Sequence, residues 1–376
     1  MGCDSGGTAG LSEESLAWDR YAHWPALRAR LALFALVLCL VVAAFAPVEA
    51  GKSTVKTKNF VENITGKEAP ERKRDDDLAL YDRVIERIQN GERYYDFIAE
   101  EHRAANYPLR PGIAVRLPTL AYASAFLREP GLIAVSIFLL FAVLFVWWRK
   151  LGGLQITQSQ RRLAIAFLFL GASLGLNRYF FTLHELWAGT LLVLSFGLYR
   201  PGRWGASLAV AALAVAIREL VLPFVLLMGA MAMWRRDWKE MAAWGGLTVL
   251  FLAGLAWHMQ IISAQVMPDD PYGQGWLTFR GLSGWISSIA LSSDLRFLPH
   301  WLAGPGVMLM MFGWTAWKSP TGLFGTFLFL GYGLLFVIAG RGDNFYWGVV
   351  IAPAMFIGLV FVPMGIKSLL GKAFSR

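Results

Sequence analysis

The sequence predicts an all-α polytopic membrane protein, and three observations carry that expectation. The 376 residues are 56% hydrophobic and only 16% charged, with a mean hydropathy of +0.48, too apolar for a soluble domain of this length. About ten apolar segments approach the ~20 residues that a helix needs to cross a bilayer. The connections between them sort by charge, short basic loops alternating with others that collect the acids, histidines and aromatic clusters.

The expected spans lie near 29–48, 130–148, 161–177, 179–199, 204–217, 219–234, 241–258, 298–316, 321–340 and 344–364. The pair 204–217 and 219–234 is short, so one of them is expected to tilt or insert only in part. Arg28 and Arg30 precede the first span, Arg149, Lys150, Arg161 and Arg162 follow the second, and Arg200 and Arg203 follow the fourth. Arg235, Arg236 and Lys239 follow the sixth, and Lys318, Lys367, Lys372 and Arg376 complete the basic face. The positive-inside rule makes that face cytoplasmic, with both termini on it. Residues 1–28 are then a cytoplasmic segment and 29–376 the transmembrane domain, whose first extracytoplasmic loop covers 49–129.

The same sorting accounts for the net charge of +9 without a nucleic-acid partner. Val48-Glu49-Ala50 has the look of a signal-peptidase site, but the polar stretch before the first apolar core is long for a secretory leader. Cys3 and Cys39, one near the N-terminus and one inside the first apolar run, suit neither a structural disulfide nor a metal cluster.

The first outer loop has structure of its own. Leu78, Tyr81, Ile85 and Ile88 recur at helical spacing, with Asp82, Arg83, Glu86 and Arg87 opposite and Gly91 as a C-cap. This reads as an amphipathic helix on the membrane surface. A second helical stretch runs from Glu92 to Asn106, and Pro108, Pro111 and Pro118 then break the chain. His102, within Glu100-Glu101-His102-Arg103, reads as solvated surface.

Asp75-Asp76-Asp77, Asp77-x3-Tyr81 and Gly91-x2-Tyr94-Tyr95 follow the first span. His184-Glu185-x-Trp187-Ala188-Gly189, Arg218-Glu219 with Pro223, and Asn344-x-Tyr346-Trp347-Gly348 with Pro353 come later. In these segments and in its span pattern the chain resembles the bacterial polyprenyl-phosphate-dependent membrane glycosyltransferases of the GT-C fold. That superfamily includes protein mannosyltransferases, aminoarabinose transferases of lipid A and mannosyltransferases of mycobacterial glycolipids. The resemblance implies an acidic residue and interfacial helices in the first outer loop, a bacterial inner membrane, and sugar transfer from a polyprenyl-phosphate donor. It implies an acceptor that is a glycolipid, a polysaccharide or a protein.

Such a reaction needs a carboxylate to take the hydroxyl proton and cations to stabilise the leaving phosphate. Asp77 is the first choice for the base, followed by Asp76 and Asp75; the alternative is that all three only start a helix, favoured by its dipole. Arg116, Arg218 and Arg341 are the phosphate candidates, because a guanidinium offers a bidentate fork. Arg218 is the sharpest of the three, because it interrupts an apolar run and so needs a partner or a watered site; the alternative is that it pairs with Glu219 or Glu185 merely to fix helix packing. His184 either donates to phosphate or packs as a neutral core residue. Glu185, Glu219, Tyr81, Tyr94, Tyr95, Asn344, Tyr346 and Trp347 are the supporting set, and Trp276 or Trp347 could stack on a sugar. No obligatory metal is expected, although clustered acids are compatible with a divalent ion. The rival classes are a transporter or flippase of lipid-linked glycans, which predicts repeated halves, and an oligosaccharide polymerase or ligase.

Overall fold

The computed structural model describes residues 19–49 and 75–375; Cys3 and residues 50–74, with Arg72-Lys73-Arg74, lie outside them. The protein is 77% helical, and no strand occurs among the described residues. Helix α1 (Ala26–Phe45) is apolar all round and buries only Ala29 and Ala43. Those small residues let it lie against α11 (His300–Ala316) and the helical run α13 (Ala352–Ala373). Gly304 of α11 has no room for a Cβ beside the Ala43 carbonyl, so this close approach depends on glycine. Beyond α1, Ser283 Oγ donates to the Pro47 carbonyl (2.5 Å) and the Glu49 N–H donates to Ser287 Oγ (3.1 Å). Both serines belong to α10 (Gly281–Leu291). At the other end of the bundle Arg30 Nε donates to the Ala373 carbonyl (2.8 Å), and Ser368 Oγ donates to the Asp19 carboxylate (2.6 Å).

Two amphipathic helices, α2 (Asp76–Gln89) and α3 (Tyr94–Ala104), form a hairpin around Gly91, whose φ of +94° suits glycine. They share a small core of Leu80, Val84, Tyr94, Phe97 and Ile98, with Leu109, Val115 and Ile262. Arg87 braces the outer side, bonded to Glu92, Glu100 and Glu101 and lying 4.4 Å from the Phe97 ring centroid.

The region read as broken loop after Pro118 is instead helical. Helix α4 (Thr119–Leu151) begins there and kinks at Arg128, at φ 54° and ψ −178°, before Pro130 starts its membrane part. Pro118 and Pro130 both stand where a helix begins, a place in which the missing N–H costs nothing.

Helices α5 (Gln158–Ala172), α6 (His184–Leu198), α7 (Gly205–Ile217), α8 (Leu222–Trp234), α9 (Trp238–Ala264) and α12 (Pro320–Ile338) complete the bundle. Helix α6 is central, with 13 of its 15 residues buried. Lys150 of α4 closes its C-terminus, Nζ donating to the carbonyls of Phe196 (3.2 Å), Gly197 (3.3 Å) and Tyr199 (2.6 Å).

Five helical runs are long and apolar enough to cross a membrane: Ala26–Phe45, Gly112–Leu151, Trp238–Ala264, Pro320–Ile338 and Ala352–Ala373. The other five expected spans are helical but shorter: α5 and α6 have 15 residues each, α7 and α8 have 13 each, and α11 has 17. At ~1.5 Å per residue these cover less than the ~30 Å of hydrocarbon. Part of the reason is local: 3-10 turns at Ser173–Leu176 and Arg178–Phe180 take residues from α5 and α6, and the turn at Glu219–Val221 takes the start of α8. The last expected span, 344–364, is likewise shifted. Gly342–Val350 winds as a 3-10 helix pressed on α10, where Gly348 meets the Ser288 carbonyl, and the long helix runs from Ala352 to Ala373.

Candidate active site

The site grows from the first turn of α2. Asp75 is its N-cap, accepting from the Asp77 N–H at 3.4 Å, and Asp76 is exposed in the first turn. Asp77 is half-buried, and its carboxylate accepts a short hydrogen bond from the Tyr107 hydroxyl. Tyr107 enters because Asn106, at φ 57°, reverses the chain after α3. Burial raises the Tyr107 phenol above its usual range, and the Asp77 carboxylate raises it further, so the proton stays on tyrosine.

One turn beyond Asp77, on the same face, Tyr81 accepts from Arg116 Nε at 3.0 Å. Burial raises this phenol too, against the lowering pull of Arg116. Its ring meets His184 edge to face, centroids 4.9 Å apart. Arg116 is half-buried and, among the described residues, makes no ion pair; its side chain donates to the Tyr81 hydroxyl. Tyr94 supports Arg116 from behind, donating its hydroxyl to the Arg116 carbonyl at 2.6 Å.

His184 and Glu185 open α6 and diverge, as neighbours ~100° apart must. Among the described residues neither nitrogen of His184 has a hydrogen bond of good geometry, although the Thr182 backbone lies close enough to act on the ring. The ring borders a small, mostly apolar cavity of about 20 Å³, lined by Leu80, Val84, Ile98, Leu117 and Leu120 as well as by Tyr81, His102, Arg116 and Thr182. Glu185 is 1% exposed and accepts from Arg218 Nε at 2.6 Å; Arg218 Nη1 bonds Glu219. Arg116, Arg218, Glu185, Glu219, Tyr81 and Tyr346 are near enough to act on one another electrostatically. Asn344 Nδ2 lies 3.4 Å from the Tyr346 hydroxyl.

The structure thus gathers Asp77, Tyr81, Arg116, His184, Glu185, Arg218, Glu219 and Tyr346. Arg341 stands apart, paired with Asp343 at 3.2 Å and reaching the Gln274 carbonyl. Tyr95 turns away to His258 Nδ1 at 3.0 Å, and Trp347 is buried with no partner for its indole N–H among the described residues. Among the described residues no group of three or more histidines, cysteines, aspartates or glutamates stands together as metal ligands do.

No protein-family model, curated protein or solved structure matches the chain.

His102 departs from its expectation. It is 4% exposed, with Nδ1 donating to the Pro108 carbonyl at 3.2 Å and its ring against Tyr107. Its place one and two turns after Ile98 and Tyr94 puts it on the buried stripe of α3, a signal masked by its charged neighbours. Burial lowers its pKa from 6.5 to about 4. The unfolded chain therefore binds the proton first, and stability falls as pH drops from about 6.5 to about 4, by about 3 kcal/mol in all. Thermal unfolding in detergent across that window should show this loss, and His102→Asn should flatten it. An equal slope in both proteins would refute the assignment.

Proposed function

We infer that the protein is a membrane glycosyltransferase that moves a sugar from a polyprenyl-phosphate donor to an acceptor hydroxyl, on the extracytoplasmic face of a bacterial inner membrane. The observation that carries this reading is the pairing of unlike groups in one site. Asp77 is a carboxylate held by a tyrosine hydroxyl, and Arg116, bonded to Tyr81 one turn further along the same helix face, is a half-buried guanidinium that forms no ion pair among the described residues. The acceptor oxygen attacks the anomeric carbon, the bond from that carbon to the phosphate oxygen breaks, and the hydroxyl proton passes to Asp77. The departing phosphate takes its hydrogen bonds from Arg116. Arg218 is assigned a different task, since Glu185 and Glu219 already occupy its fork. The fold this reading carries is that of the GT-C enzymes, with α2 and α3 as the interfacial helices.

The test is transfer of radiolabelled sugar from polyprenyl-phosphate donors to a membrane extract. Wild type is expected to transfer, and Arg116→Ala to raise the donor KM about 10- to 100-fold, the worth of one or two charge-assisted hydrogen bonds. Failure of the wild type with every donor would discard the reading. A transporter of lipid-linked glycans would then move ahead, favoured by the ionic cluster at the break between α7 and α8.

A further inference from the structure

Residues 265–280 connect α9 to α10 as a strap that is fixed at both ends and yet turns apolar side chains outward. At its start Arg103 grips the Asp270 carboxylate at 2.7 and 2.9 Å, and the Met267 N–H adds a third bond at 2.7 Å. These donors hold the Asp270 carboxyl down to about 2. Next, the Gly273 N–H donates to the Arg110 carbonyl at 2.6 Å, and the Arg110 guanidinium lies 3.9 Å from the Tyr272 ring centroid. At its far end the strap pairs with the last turn of α12. Thr278 and Arg280 donate their N–H groups to Ile338 (3.1 Å) and Val337 (2.8 Å), and the Gly340 N–H donates to Trp276 (2.7 Å).

Those bonds set the depth of the strap. Helix α12 shows an outward stripe of Phe327, Leu330, Leu334 and Ile338, at the 3- and 4-residue spacing of a lipid-facing helix. The strap is bonded to the end of that stripe, so it stands level with the edge of the hydrocarbon. There Leu277 is 86% exposed and Phe279 80%, among the most exposed large apolar residues of the described chain. A segment so tied cannot fold these side chains inward. Arg280, next in sequence, is half-buried; among the described residues its side chain makes neither a hydrogen bond nor an ion pair, and Asp343 acts on it only electrostatically. Apolar side chains followed by an uncommitted guanidinium are the pattern of an interfacial anchor, whose cation reaches lipid phosphates.

We propose that residues 272–280 form a membrane anchor, with Leu277 and Phe279 entering the leaflet on the side of the candidate site and Arg280 meeting phospholipid headgroups. The strap then pins the outer end of α12, and through Arg103 and Arg110 the α3–α4 connection, to the bilayer surface. This inference is independent of the reaction catalysed.

It is tested with the full chain in phosphatidylglycerol/phosphatidylethanolamine nanodiscs. Leu277→Cys, Phe279→Cys and Glu100→Cys are made in a Cys3→Ser, Cys39→Ser background and labelled with an environment-sensitive NBD fluorophore. All three positions are exposed; the change at Glu100 gives up one surface ion pair to Arg87, which keeps Glu92 and Glu101. Labels at 277 and 279 are expected to emit to the blue of the label at 100. They should also be quenched at least twofold more strongly by lipids carrying a shallow doxyl group. Emission matching position 100, with quenching by aqueous iodide instead, would overturn the proposal; that outcome would describe a surface open to a soluble partner.

Discussion

Replacing Arg218 with methionine should destabilise the protein by about 3–5 kcal/mol, the cost of breaking a buried ion pair from one side. Arg218 is 2% exposed and stands between two carboxylates, Glu185 at 2.6 Å and Glu219 in closer contact. Methionine fills similar volume but leaves Glu185, itself 1% exposed, without a cation. The loss would appear as a large fall in thermal stability in detergent, before any question of activity. The mechanism makes a second demand. Since the penalty lies in the stranded carboxylates, Glu185→Gln and Glu219→Gln placed on the Arg218→Met background should recover a large part of it. A single variant within about 1 kcal/mol of wild type would mean that water reaches the cluster freely. Arg218 would then be available for ligand after all, and the division of labour between it and Arg116 would fall.

This division was only half legible in the sequence. An arginine inside an apolar run announces that it needs partners, and Glu219 and Glu185 were readable as the candidates. The tertiary fact, that both are used at once, depends on α6 being the central helix, and nothing in its uniform apolarity tells a central helix from a peripheral one. Helix α2 was legible because Leu78, Tyr81, Ile85 and Ile88 keep one period and Gly91 ends it. His102 was not, because its two glutamates and arginine look solvated while its own position is on the stripe of Tyr94 and Ile98. Tyr107 had no signal at all, since it reaches Asp77 through a chain reversal rather than a periodic face. The helix bounds were less legible for a related reason: hydropathy adds residues along the chain and does not register that Arg178–Phe180 or Gly342–Val350 turn as 3-10 helix.

Asp77→Asn should lower kcat for sugar transfer by about 10²- to 10⁴-fold while leaving donor affinity within a factor of about two, the signature of a lost general base. Asparagine keeps the shape of the side chain and an oxygen that still accepts from Tyr107, so the site stays assembled and only the capacity to take a proton goes. The competing role for Asp77, a first-turn acid that favours the helix dipole, predicts something different: a stability loss of less than about 1 kcal/mol and little effect on rate. Asp76→Asn serves as the measure of that role, because Asp76 sits in the same turn, is exposed, and is equally placed for the dipole. Equal rates in the two variants would reduce Asp77 to a helix-starting residue. Tyr107→Phe separates holding from reacting. It leaves the carboxylate but removes the hydroxyl that orients it, and a misplacement of about 1 Å at a reacting group is worth up to ~10²-fold. The expected order of kcat is therefore wild type, then Tyr107→Phe, then Asp77→Asn. In the double variant Tyr107→Phe should add almost nothing to Asp77→Asn, since orienting a group matters only while that group can still accept the proton.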